Sequence, residues 1–310
     1  MRPLAALLMA CLTCLGADES RPLRLATSHP FLEEWASRIA GPGAEVECLT
    51  PRAADLHVFE PSPLTVRKVL EADAILAFDP LLEPWLARLV KSNQLEGKVL
   101  WIGKPWISDQ GTTLACCPET STGKHALLRR PEPVDPHLWT DPALVRELVT
   151  RLHAWLEPKL GAADASARQS RLGALREEAA AVDRELREGF SRLGDDRRGL
   201  ITHHANLSRF AATYGLRIEG VILASATTEA ADPSAREMAR LIDKARAGKA
   251  RLVVVDKGSR AAAAEVLAKE SGLPPPLPLR VDNLESEGPG STWAGMMREA
   301  GARLSEALAR

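Results

Sequence analysis

The sequence predicts an α/β protein of two similar lobes, each a roughly four-stranded parallel sheet flanked by helices, joined by one long rigid helix. Three observations support this. Short apolar runs alternate with amphipathic helical stretches in both halves of the chain. A long charged segment near the middle keeps an apolar residue every three or four positions. Hydrophobic residues make up 45%, yet aromatics are only 4% and tyrosine occurs once, so the core is expected to be mainly Leu, Val, Ile and Ala, which suits helices stacked on parallel strands. At 310 residues, two ordinary domains can each bury a core.

Leu23 to Thr27 reads as the first strand. Phe31, Leu32, Trp35 and Ile39 then recur at helical spacing until Gly41-Pro42-Gly43. Glu45 to Leu49 is a second strand, leading through Pro51 into a loop that holds His57. Pro61-Ser62-Pro63 opens a helix through Val66, Val69 and Leu70, Ala74 to Phe78 is a third strand, Leu81 to Val90 is helical, and Lys98 to Ile102 is a fourth strand. Ser108 to Pro133 has no sustained period and reads as a loop. Leu144 to Leu156 trace one face of a helix ending near Pro158.

The connecting helix spans roughly Asp164 to Leu193, a rod of about 45 Å. Beyond Gly194, strands at Gly199 to Thr202, Ile218 to Leu223, Arg251 to Asp256 and Leu277 to Val281 alternate with helices from about Ala205 to Tyr214, Ser234 to Ala247, Ala261 to Glu270 and Thr292 to Ala309. The expected division is therefore residues 17–161, a connector at 162–194, and a second lobe at 195–310.

Residues 1–16 read as an export signal, with Arg2, an apolar run from Leu4 to Leu15, and small residues before Asp18-Glu19. Lipidation at Cys11 or Cys14 is the alternative to simple cleavage. The apolar run is too short to span a bilayer, so the expected location is periplasmic or otherwise extracytoplasmic. A net charge of −1 offers no basic face for nucleic acid. Cys48, Cys116 and Cys117 are an odd set: either the adjacent pair are loop thiols, or one bridges to Cys48.

The stretch from Val134 to Pro142, V-D-P-H-L-W-T-D-P, pins His137 between two rigid turn signals. His57, His204 and Asp282 recur along the chain where apolar runs give way to turns. In open parallel sheets, ligands settle beyond the carboxyl ends of the strands, so two facing lobes would bring these four side chains together. Three imidazoles and one carboxylate suit tetrahedral Zn²⁺; Mn²⁺ is the alternative. Glu60, Asp135 and Asp141 are candidates to hold the imidazoles' other nitrogens, with turn and cap chemistry as the competing role. His29 is placed to line the cleft, and His153 lies on a helix as a packing or surface residue.

The stretches D-L-H-V-F-E-P-S-P at His57, D-P-H-L-W-T-D-P at His137, T-H-H-A-N-L-S-R-F-A-A-T-Y-G-L at His204, D-P-S-A-R-E-M from Asp232 to Met238, and V-D-N-L at Asp282 resemble the zinc- and manganese-binding receptors of bacterial metal ABC importers (the cluster A-I family). The likeness runs in order over nearly all of the mature chain. It implies that His57, His137, His204 and Asp282 are the metal ligands, that the long helix is the interlobe connector, and that an ABC permease in the membrane is the partner of a monomeric receptor.

The departures are Leu56, where the family often has proline, Leu207, where it has an aromatic, and a loop before His137 that offers only His125. His203 adjoins His204; counting back ten from Tyr214 selects His204. A function of another class, a secreted zinc hydrolase with Asp282 or Glu60 as general base, would need catalytic spacing such as H-E-x-x-H, which the chain lacks. A receptor for an organic ligand would need a large apolar cleft, against which the few aromatics count.

Overall fold

The structure is a computed structural model that describes residues 21–52, 54, 59–109, 134–223, 233–259 and 261–310. His57, the expected export signal at residues 1–16, Cys116, Cys117 and Asp232 lie outside them. In the first lobe, β1 (Leu23–Thr27), β2 (Ala44–Cys48), β3 (Ala74–Ala77) and β4 (Val99–Trp101) alternate with α1 (Pro30–Ala40), α2 (Pro63–Glu71) and α3 (Pro84–Ser92). After α4 (Pro142–Leu160) and α5 (Ala165–Ser191), the second lobe repeats the alternation. Its strands are β5 (Gly199–Thr202), β6 (Arg217–Val221), β7 (Leu252–Asp256) and β8 (Leu277–Leu279), with α6 (Ser208–Tyr214), α7 (Ala235–Arg246), α8 (Ala262–Ser271) and α9 (Trp293–Ala309).

Both sheets are wholly parallel and share one topology, β2-β1-β3-β4 and β6-β5-β7-β8. Leu25 pairs with Val46 on one side and Ala74 on the other, as Leu200 pairs with Ile218 and Leu252. Both faces are covered, so β3 and β5 are buried at every position.

Expected and observed elements differ mainly at their ends, and local chemistry explains why. The helix expected from Leu81 begins at Pro84, because the Asp79 carboxylate accepts from the Leu81 amide at 2.8 Å and holds 79–82 as a turn. The helix expected to stop near Pro158 continues to Leu160: proline loses one helical hydrogen bond but keeps a helical φ. In the second lobe α6 starts at Ser208, not Ala205, since 203–207 turn into the cleft. Among the described residues Cys48 is unbridged and its Sγ donates to the Thr50 carbonyl at 3.1 Å; Cys116 and Cys117, its expected alternative partners, lie outside the described residues. Burial pushes that thiol up to about 12.

At 27 residues, α5 is about 40 Å long. Its buried face, Leu172, Leu175, Ala179, Val182, Leu186 and Phe190, packs on α1 and α4 at one end and on α6 and α9 at the other. The two lobes thereby share one core, in which Trp35, Trp139 and Trp293 are almost wholly buried. Indole hydrogen bonds lock this seam: Trp293 Nε1 donates to the Trp139 carbonyl at 2.8 Å, and Trp139 Nε1 to the Val281 carbonyl at 2.7 Å.

Where α9 crosses α5, a Cβ on Gly301 would lie 2.0 Å from Leu186 Cδ2. Gly301→Ala gains up to about 1 kcal/mol of helix propensity but overpacks the crossing by about 1–3 kcal/mol. The expected outcome is a net loss, read as a lower denaturation midpoint with an unchanged denaturant slope. Among the described residues, no helix is long and apolar enough to cross a membrane.

Candidate metal centre

Each sheet has a topological switch, between β1 and β3 in one and between β5 and β7 in the other; crevices for ligands form beyond the carboxyl ends of the strands there. His203 and His204 follow β5, Asp256 ends β7, and Asp282 follows β8. His137 stands at the head of a 3-10 turn, Leu138–Thr140, which leads through Asp141 into α4.

Three predicted ligands meet. His204 Nε2 lies 3.3 Å from Asp282 Oδ2, His137 Nε2 lies 4.0 Å from Asp282 Oδ1, and the two ring centroids are 5.6 Å apart. Donors on a tetrahedral zinc shell stand about 3.3 to 3.6 Å apart; the His204–Asp282 pair stands at that spacing, the His137–Asp282 pair is slightly wider, and the three offer ligand atoms within 4.8 Å of one another. Asp282 Oδ1 is buried and accepts no hydrogen bond from the described residues, a costly arrangement for a carboxylate unless a cation faces it. The fourth predicted ligand, His57, lies outside the described residues. Ala54, three positions before it in the sequence, has its carbonyl held by Asn283 Nδ2 at 2.7 Å.

Behind each imidazole stands a carboxylate. Asp135 Oδ1 accepts from both the backbone N–H and the Nδ1 of His137, at 2.9 and 2.7 Å. Asp135 Oδ2 accepts from the Arg209 amide in the first turn of α6 at 2.9 Å. Burial pushes the Asp135 carboxyl upward, but the His137 and Arg209 hydrogen bonds outweigh it and hold the group below its usual range. An ionised Asp135 makes His137 Nδ1 the donor and leaves Nε2 to face the centre.

Asp256 does the same for His204: Oδ2 accepts from His204 Nδ1 at 2.7 Å and from His203 Nδ1 at 3.0 Å. Its carboxyl lies far below the usual range, because the His204 charge and the two imidazole hydrogen bonds overcome burial. Asn206 joins the two acids, donating to Asp256 Oδ1 and Asp282 Oδ2 at 2.8 Å each. Burial disfavours the charged imidazole of His204, yet Asp256 and Asp282 prevail and raise it well above the ordinary histidine value. Burial likewise opposes the Asp282 carboxylate, and the neighbouring His137 and His204 still hold it low.

Other candidates resolve individually. His203 contacts Asp256 and belongs to a second cluster with His204 and Asp256, whereas His204 is the one grouped with His137 and Asp282. Asp141 is a helix cap, accepting from the Ala143 amide at 2.9 Å. Glu60 is exposed. His153 lies on α4, 3.2 Å from Glu157. His29 is wholly buried, with Nε2 3.0 Å from the Asp282 carbonyl.

Asp256, Asn206 and Arg209 escaped the sequence reading. The only signal was an aspartate closing the V-V-V-D strand, and its significance depends on β7 lying beside β5. Asp135→Asn is expected to cost about 10- to 100-fold in metal affinity, because the amide cannot serve His137 and Arg209 as the carboxylate does; chelator competition reads the change.

The model of the family described as zinc-uptake complex component A, periplasmic (ZnuA), matches residues 25–307. The zinc-binding lipoprotein AdcA of Streptococcus pneumoniae serotype 4 is 25% identical over 87% of this chain, which spans 52% of that relative. The manganese ABC transporter substrate-binding lipoprotein PsaA of Streptococcus pneumoniae is 22% identical over 98% of this chain and 96% of its own length. Among solved structures, the periplasmic zinc-binding protein TroA from Treponema pallidum superposes with a TM-score of 0.77 at 20% identity, covering 93% of this chain and all of that one.

Proposed function

We propose that this chain, which belongs to the periplasmic zinc-uptake component A family, captures Zn²⁺ between its lobes and hands it to an ABC permease. Members of the family are the extracytoplasmic metal-binding receptors of ABC importers and are not enzymes. Zinc as the cargo, and His57, His137, His204 and Asp282 as its ligands, are our reading.

The observation that carries it is the meeting of His137, His204 and Asp282 from distant parts of the chain at distances one cation can bridge. Capture follows from three features. The carboxylates of Asp135 and Asp256 aim the imidazole Nε2 atoms inward, Asp282 supplies a negative charge, and His57, three positions beyond Ala54 in the sequence, is assigned as the fourth ligand. A shell with three nitrogens and one oxygen favours zinc over manganese, which prefers oxygen-rich, higher coordination. Manganese is the second reading, favoured by the likeness to PsaA over nearly the full length of both chains.

Elemental analysis of the full chain purified without added metal, followed by titration of Zn²⁺ against Mn²⁺, tests both. Zinc at one ion per chain, bound more tightly than manganese, is the expected result. A preference for manganese would transfer the function to the second reading, and absence of binding by either ion would end both.

A further inference from the structure

The geometry points to His29 as a positioning residue for the metal site: it holds the main chain of Asp282 across the interlobe seam and so slows metal release. This inference rests on the reading of Asp282 as a ligand. His29 follows β1 and is the N-cap of α1. Its Nδ1 accepts the Phe31 amide N–H at 3.1 Å, so Nδ1 carries no proton, and in the neutral ring the proton sits on Nε2. That N–H meets the Asp282 carbonyl at 3.0 Å. The cap of one helix thus dictates the tautomer that reaches the other lobe.

The ring has no freedom to leave. It is 0% exposed, stacked on Phe31 at 4.4 Å between centroids and packed on Trp139 and Phe78 at 5.0 and 5.4 Å.

The residues around Asp282 are held in the same manner. The Val281 carbonyl accepts from Trp139 Nε1 at 2.7 Å, Asn283 Nδ2 donates to the Ala54 carbonyl at 2.7 Å, and the Glu285 carbonyl accepts from Arg52 at 3.2 Å. Segment 281–285 continues from β8 of the second sheet, yet four successive anchors tie it to the first lobe. Asp282 is therefore fixed with respect to His137, and His29 is the anchor that grips the ligand residue itself. Loss of that anchor lets the Asp282 peptide turn, and a ligand mounted on a mobile peptide releases its ion sooner.

Two amides separate the functions of the ring. Asn places its oxygen where Nδ1 stands, so His29→Asn keeps the cap on Phe31 and falls short of Asp282. Gln places its nitrogen where Nε2 stands, so His29→Gln keeps the bond to Asp282 and gives up the cap. Zinc release from the full chain into excess chelator is followed by stopped flow, beside the thermal midpoint of each metal-free protein. His29→Asn is expected to release zinc at least tenfold faster than wild type, and His29→Gln within about threefold of it. Equal release from His29→Asn and wild type, or acceleration in both variants in step with lost thermal stability, would overturn the assignment.

Nitrogen-15 NMR of the wild-type imidazole gives a check that needs no variant. The Nε2–H tautomer is expected before and after zinc loading, and finding Nδ1–H overturns the inference. Failure of the wild type to bind zinc at all would instead remove the proposed function.

Discussion

Zinc affinity is expected to fall by more than 100-fold in His137→Ala, because loss of a direct ligand exceeds the 10- to 100-fold cost of losing a residue that merely supports one. His137 is wholly buried and its ring packs edge-on against Trp139 at 5.3 Å, so the variant also leaves a cavity, worth a few kcal/mol in a rigid site. The turn itself survives: Asp135 remains bonded through Oδ2 and its carbonyl to Arg209, at 2.9 and 2.7 Å. The expected picture is a folded protein with a lowered metal-free midpoint and almost no zinc bound at micromolar concentration. His153→Ala is the matching control: its imidazole lies on α4 beside Glu157, and its removal should leave zinc affinity unchanged. Calorimetry that finds wild-type affinity in His137→Ala would remove His137 from the site.

The alternation of elements was legible in the sequence because parallel strands covered on both faces carry unbroken apolar runs, such as Ala74 to Ala77. The helices between them carry one apolar face, as α5 does from Leu172 to Phe190. His204 and Asp282 were legible as proposed ligands for a related reason, since each follows an apolar run with a turn signal, and His137 because Asp135-Pro136 and Asp141-Pro142 bracket it; among the described residues the fold brings these three to one crevice. Strand order was not legible. Asp256 serves His204 only because β7 pairs beside β5, with Thr202 opposite Val254, and no local pattern records that pairing. The same holds for contacts across the seam, where His29 meets a residue more than 250 positions away. Helix starts were misplaced at α3 and α6 because capping and turn hydrogen bonds, notably those of Asp79, decided them over apolar periodicity.

The difference in stability between zinc-loaded and metal-free protein is expected to widen as pH rises above about 6.5. In the metal-free form His204 is an imidazolium gripped by Asp256 and Asp282, with its pKa raised well above 6.5. A raised histidine adds stability that is fully present below the unfolded value of about 6.5 and is lost as pH climbs through the folded value. The metal-free protein therefore weakens across that window.

Zinc requires the neutral ring and displaces the proton, so the loaded form does not share this loss. Bound metal stabilises by about 4 kcal/mol when its free concentration is 1,000 times the dissociation constant, and that constant improves about tenfold per pH unit while one proton must leave. Glu83, raised to about 8 by burial, erodes stability between about pH 4.5 and 8. It does so in both forms, and so cancels in the difference. The low carboxylates Asp135, Asp256 and Asp282 lose their contribution only as pH falls below about 3.8 toward their folded values, outside the window. Thermal midpoints of both forms from pH 5.5 to 8.5 should diverge with pH. Calorimetry at pH 7 in buffers of different ionisation enthalpy should count about one proton released per zinc, and a count of zero would mean that His204 does not give up a proton to the metal.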